Sequence, residues 1–118
     1  MEKEIIYNKL IRDRIPEITA ASGWKSQTRV LKAEEFIIAL KNKILEEAKE
    51  LNEGTDDENL IEELADIQEI IDAILIEKKI KIVEFGKIQK EKRLKRGGFK
   101  EKLFLIKTVK ENNENDSK

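Results

Sequence analysis

The chain of 118 residues contains neither histidine nor cysteine, so any chemistry it performs must come from carboxylates, amines, guanidinium groups and hydroxyls. That removes thiolate and imidazole metal ligands, cysteine nucleophiles, disulfides and the Ser-His-Asp triad. Among the remaining groups the acids carry the most informative placement. Glu47 and Glu50 stand three residues apart, and Glu63 and Asp66 repeat that spacing further along the chain. With residues set at about 100° intervals around a helix, Glu47 falls inside the apolar arc of Phe36, Leu40, Ile44 and Leu51, and Glu50 lies at its edge. On a following helix Glu63 falls among Ile67, Ile70 and Ile74, with Asp66 just outside the apolar border. With 25 acidic residues, roughly five i, i+3 acidic pairs arise by composition alone. Spacing is therefore not selective, and without more it describes a solvated helix edge. The interruption of an apolar stripe by an acid on two successive helices is selective. Four carboxylates facing one another across a partly buried groove repel and lose hydration. A hard divalent cation with oxygen ligands relieves both. Mg²⁺, which keeps waters and bridges to phosphates, suits such a site, with Mn²⁺ as the alternative ion.

Other charged residues admit two readings each. Lys92 and Arg96 lie four apart on the side of Ile82, Phe85 and Gln89, where they can meet a phosphate or snorkel at a helix end and favour its dipole. Lys9, Arg12, Asp13 and Arg14 form a dense cluster that reads equally as a surface ion-pair network or as phosphate contacts. Glu46, Glu62, Glu69 and Asp72 lie further round their helices, on a solvated face or in support of the acids named above. The glycines of Arg96-Gly97-Gly98-Phe99 can offer backbone amides to an anion or simply stop a helix. Trp24, the only tryptophan, reads as a packing residue.

The elements that must position these residues are helical. Pro16 and Gly23 bracket a short helix near 16–22. Phe36, Ile37, Leu40, Ile44, Ala48 and Leu51 predict a long helix from about 32 to 52, with Gly54 as a left-handed stop. Thr55 and Glu58 stand in capping-box relation ahead of a second long helix, which runs to about Lys79 with Leu60, Leu64, Ile67, Ile71, Ile74 and Leu75 on its apolar face. The short turn between the two predicts antiparallel packing. A third, more basic helix is predicted from about 82 to 95, ended by Gly97-Gly98. The β-prone runs Trp24–Leu31 and Leu103–Val109 can pair as a small two-stranded ribbon. The fold class is thus mainly all-α: three long helices and a short N-terminal one, with that ribbon as an addition. One domain is expected over 1–109, followed by a polar, disordered tail over 110–118.

Charge narrows the partners. The 24 basic and 25 acidic residues give a net charge of −1, which offers no excess of cations to release counterions from nucleic acid. No apolar run approaches the roughly 18 residues of a membrane span, and the opening residues lack the apolar stretch of a signal peptide. A cytoplasmic protein without a nucleic-acid or membrane partner is expected.

Four segments together carry a resemblance: Tyr7–Ile18 (YNKLIRDRIPEI), Glu46–Leu51 (EEAKEL), Glu62–Ile74 (EELADIQEIIDAI) and Lys92–Phe99 (KRLKRGGF). In their order and spacing the chain resembles the MazG-like, all-α nucleoside triphosphate pyrophosphohydrolases. Within them it looks most like the small phosphoribosyl-ATP pyrophosphohydrolase-like group, regarded as house-cleaning enzymes for noncanonical nucleotides. The family pattern EExxE followed by ExxD is met by Glu46-Glu47-Ala48-Lys49-Glu50 and Glu63-Leu64-Ala65-Asp66. The resemblance implies that Glu47, Glu50, Glu63 and Asp66 are catalytic and ligate Mg²⁺, with Glu46 in a supporting place. It also implies a four-helix module commonly completed by dimerisation, in keeping with a chain that offers only three long helices. The expected activity is Mg²⁺-dependent hydrolysis of a noncanonical or deoxynucleoside triphosphate to monophosphate and pyrophosphate, with Lys92 and Arg96, helped by Lys9 and Arg12, on the phosphates. Two rival readings are the same chemistry on phosphoribosyl-ATP in histidine biosynthesis, and a noncatalytic helical adaptor whose acidic groove holds a basic partner.

Overall fold

A computed structural model describes residues 3–112. All regular structure among them is helical: α1 (Ile15–Ala21), α2 (Ala33–Glu53), α3 (Asp57–Glu77) and α4 (Ile82–Arg96). The chain divides into two compact units, Met1–Ile82 and Val83–Lys118. No described helix is long and apolar enough to cross a membrane.

The first unit is organised by α2 and α3. Each has 21 residues, about 30 Å of helix at 1.5 Å per residue. The three-residue connection Gly54–Asp56 folds α3 back along α2, and the apolar stripes meet. Ile37 and Leu40 of α2 pack with Ile70 of α3, and Leu10, Phe36, Ile44, Ala73 and Ile74 close around them. Leu75 is buried as well. Two further stripe positions, Leu60 and Leu64, stay exposed at the N-terminal half of α3, outside the described core cluster. The contribution of Leu10 from the irregular N-terminal segment is not visible in helical periodicity, since that segment has none.

Local chemistry explains the ends. Pro16 sits in the first turn of α1, where its missing N–H costs nothing. Gly23 adopts φ +85° just past the end of that helix, and the Gly23 and Trp24 amides donate to Ala20 and Thr19 carbonyls. Gly97 ends α4 in the same left-handed region, at φ +80°. Gly54 does not: at φ −67° and ψ 144° it is extended. A Cβ there would stand 3.4 Å from the Glu50 carbonyl oxygen, an ordinary contact, so neither φ nor space requires glycine at this position. The start of α3 also differs from the Thr55 and Glu58 box. Asp56 is the N-cap, its Oδ1 accepting from the Asn59 amide at 2.8 Å, and a carboxylate in that place also favours the positive helix end. Helix α3 then stops at Glu77 by a turn in which Lys79 takes φ +56° and the Ile80 amide donates to Leu75.

The two-stranded ribbon is not formed. Neither Trp24–Leu31 nor Leu103–Val109 is a strand among the described residues. Val30, Leu103, Phe104, Leu105, Ile106 and Val109 are all strongly exposed. A two-stranded ribbon is marginal without a surface to pack on, and β-branched composition alone does not supply one. The second unit comprises most of α4 and the irregular stretch after it, and none of its described residues is buried. Lys110 to Asn112 are irregular and exposed, while positions 113–118 of the expected tail lie outside the described residues.

The core is small, so its centre should be sensitive. Leu40→Ala is expected to destabilise the chain by about 2–4 kcal/mol, the cost of a cavity at a site exposed by only 3%. Ile38→Ala, at an exposed position of the same helix, should stay within about 0.5 kcal/mol. Urea unfolding followed by circular dichroism distinguishes the two.

Candidate metal centre

The antiparallel register brings the two acidic pairs to one place. One carboxylate oxygen from each of Glu47, Glu63 and Asp66 lies within 4.8 Å of the others, and Glu46, Glu47 and Glu50 form a second group by the same measure. Glu47 belongs to both. It occupies a core-facing position of α2, one turn beyond Ile44, and is exposed by only 7%. The Oε2 atoms of Glu47 and Glu63 are buried without a hydrogen-bond partner. An unpaired buried carboxylate oxygen is expensive, and two beside each other are more so.

The electrostatics follow from that crowding. The Glu47 carboxyl is pushed up to about 7, with burial the largest cause. The Glu50 carboxylate, through its charge and its hydrogen bonding, and the charge of Asp66 add to the rise, while Lys43 opposes it. Burial also raises Glu63, with the Glu50 charge the next cause. Glu47 and Glu63 therefore each sense Glu50 and Asp66 across α2 and α3. Glu46 adjoins them from the more exposed side of α2.

Two basic residues partly balance this charge. Arg12 Nη2 donates to Asp66 Oδ1 at 2.6 Å. That contact ties the N-terminal segment to α3 and places Arg12 on an acid of the cluster. Both side chains are well exposed, so the pair itself contributes little stability, about 0–1 kcal/mol. Lys43 Nζ lies 3.6 Å from Glu46 Oε1 and 4.0 Å from Glu47 Oε1. Sequence reading passed over Lys43. Its signal is the four-residue spacing to Glu47, which is hard to single out among 24 basic residues.

Lys9 stands 5.4 Å from the centroid of the Tyr7 ring and lines an open cleft of about 230 Å³ together with Lys43 and Glu46. Arg14 pairs with Glu17 within its own segment. Lys92 and Arg96 are exposed on α4, in the second unit, and neither forms an ion pair among the described residues. Trp24 is exposed by 42%, so it is not a core residue. Asp72 accepts from Gln68 Nε2 at 2.9 Å and Glu69 is exposed; both lie outside the acidic groups.

The donor set suits a hard divalent cation. It is all oxygen, it includes two buried oxygens with no other partner, and it comes from two helices held by a common core. No protein-family model matches the chain, and neither a curated protein nor a solved structure is significantly similar to it.

These shifts give a stability profile with a defined sign. Between the ordinary value of 4.5 and about 7, the folded chain keeps a proton on Glu47 that the unfolded chain has released. Metal-free stability is therefore full below about pH 4.5 on this account and is lost as pH rises through 7. Glu47→Gln should flatten that decline. Mg²⁺ or Mn²⁺ at pH 7.5 should raise the melting temperature of the parent protein by binding the folded state. Thermal melts across pH, with and without metal, test both; a parent curve insensitive to either ion counts against the centre.

Proposed function

We propose that the chain is a Mg²⁺-dependent nucleoside triphosphate pyrophosphohydrolase of the MazG-like type, acting on noncanonical or deoxynucleotides. One observation carries the reading: Glu47 and Glu63, acids of the EExxE and ExxD patterns, meet across antiparallel helices, each with a buried oxygen that no protein group satisfies. Solvated helix edges have no such orphaned oxygens, because water satisfies them.

In this reading Glu47, Glu50, Glu63 and Asp66 hold the cation. When bound, Mg²⁺ supplies charge neutralisation of the triphosphate and acidifies coordinated water. The remaining steps belong to the chain. The carboxylates would hold the cation beside the core, and with it the place where the triphosphate binds. Water adds to the α-phosphorus, the bond from that phosphorus to the bridging oxygen breaks, and pyrophosphate departs with the bond's electron pair. The proton lost by water passes to a carboxylate oxygen of Glu47 or Glu50. The low-dielectric side of the groove, formed by the core residues beneath Glu47, strengthens each of these interactions relative to water.

We also propose that the chain acts as a homodimer through α3. The exposed Leu60, Ile61 and Leu64 are contiguous on the N-terminal half of this helix, beside the acids, and a second copy would complete a four-helix core. Light scattering at micromolar concentration should give twice the 13.8 kDa chain mass, and Leu64→Asp should shift it to one chain.

The activity test is pyrophosphate release from a panel of standard, deoxy and damaged nucleoside triphosphates, with phosphoribosyl-ATP included. Release should require Mg²⁺ or Mn²⁺ and stop with chelator. Changing Glu47, Glu50, Glu63 or Asp66 to the matching amide should lower turnover by on the order of 10² or more, whereas Glu69→Gln, exposed on the same helix as Glu63, should change it little. A panel without any metal-dependent release would favour the adaptor reading instead.

A further inference from the structure

Lys43 belongs both to the acidic cluster and to the cleft beside it. It lies one turn before Glu47 on α2, with its side chain only 19% exposed, so its aliphatic stem is packed and the range of its ammonium is short. Its two acidic neighbours, Glu46 at 3.6 Å and Glu47 at 4.0 Å, lie beyond ordinary hydrogen-bonding distance for a charged pair. The ammonium is thus held by charge and not by a directed bond. Lys43 also lines a cleft with Asn8, Lys9, Leu10 and Asn42, in which Glu46 is the one acid among the described residues. Asn8 adopts φ +46°, a left-handed conformation that asparagine tolerates better than most residues, and the Asn8–Lys9 turn it sets faces this cleft. Two lysines and two asparagines thus line the cleft, residue types whose side chains can donate to an anion with several oxygens.

The acids and the cleft therefore compete for Lys43. A divalent cation on Glu47 neutralises the charge that now attracts the ammonium and adds repulsion at close range. Lys43 then requires another acceptor, and a phosphate in the cleft provides one within reach of Lys9 as well. Resting on the metal-dependent reading above, we propose that Lys43 is a substrate-binding residue that exchanges partners, leaving Glu46 and Glu47 when a divalent cation is held and pairing with a phosphate of the nucleotide's polyphosphate chain in the cleft it shares with Lys9. Metal and polyphosphate then bind with positive coupling, since each removes a cost the other would meet.

The test separates the two affinities. Mn²⁺ binding to the full chain is measured by calorimetry without any phosphate, and inorganic tripolyphosphate binding is measured on the Mn²⁺-loaded protein. Tripolyphosphate has no base or sugar and reports the phosphate contacts alone. Lys43→Met keeps the packed stem and removes the charge. It should bind Mn²⁺ as tightly as the parent or up to about 10-fold more tightly, because a competing cation is gone, and bind tripolyphosphate about 10-fold or more weakly. Lys43→Arg should restore tripolyphosphate binding to within about 3-fold of the parent, and Lys41→Met, on the exposed part of the same helix, should alter neither. Circular dichroism confirms folding of each variant. Equal tripolyphosphate affinity in the parent and Lys43→Met overturns the proposal while leaving the metal centre standing, and so does a parallel loss of both affinities, which would make Lys43 only a support for the acids. A parent chain that takes up no Mn²⁺ removes the metal-dependent reading itself, and this proposal with it.

Discussion

The repulsion among carboxylates at the junction of α2 and α3 is the constraint around which the first unit is arranged. A helix pair of this length could bury an unbroken apolar seam. Instead, the seam of Phe36, Ile37, Leu40 and Ile44 against Ile70 and Ile74 is followed by Glu47, facing Glu63 and Asp66. The aliphatic part of the seam offsets what the acidic part costs. Burial alone pushes Glu47 toward neutrality, and its neighbours push the same way. A protein shaped only for stability gains nothing from such an arrangement, since an apolar residue at position 47 would extend the core at no electrostatic cost.

The basic residues near the cluster answer the repulsion only in part. Arg12 makes a short, directed contact with Asp66, yet from a solvent-exposed place where screening limits its effect. Lys43 is more buried but more distant from its acids. Neither reaches the orphaned oxygens of Glu47 and Glu63. The arrangement leaves those two oxygens without a partner in the groove, and Lys43 and Lys9 line the cleft beside it.

The N-terminal segment links these parts. Its described residues have no regular structure before α1, but Leu10 packs against the core and Arg12 reaches Asp66. One short stretch therefore joins packing to the charged site, and its cations are placed differently from one another. Arg14 pairs locally with Glu17, Lys9 lies near the Tyr7 ring, and only Arg12 engages the cluster.

Much of this was legible from residue types and spacing. Period 3.6 in the apolar residues located α2 and α3 to within one or two positions, Pro16 and Gly23 bracketed α1, and the placement of Glu47 and Glu63 inside apolar stripes marked the acids that come together. These features are local: a helix sets the angle of each residue from its own few neighbours, and a three-residue connection leaves two long helices little choice but to pack antiparallel. What tertiary structure decided is what depends on contacts far apart in the chain. The partner of Arg12 lies 54 residues away, and nothing in either segment specifies it. The proposed ribbon failed for the converse reason, because β-prone composition at Trp24–Leu31 and Leu103–Val109 supplies strand propensity but no surface on which two strands can be buried. The two unpaired oxygens of Glu47 and Glu63 are likewise a tertiary property, because burial of a polar atom is decided by what packs around it and not by the residue that carries it.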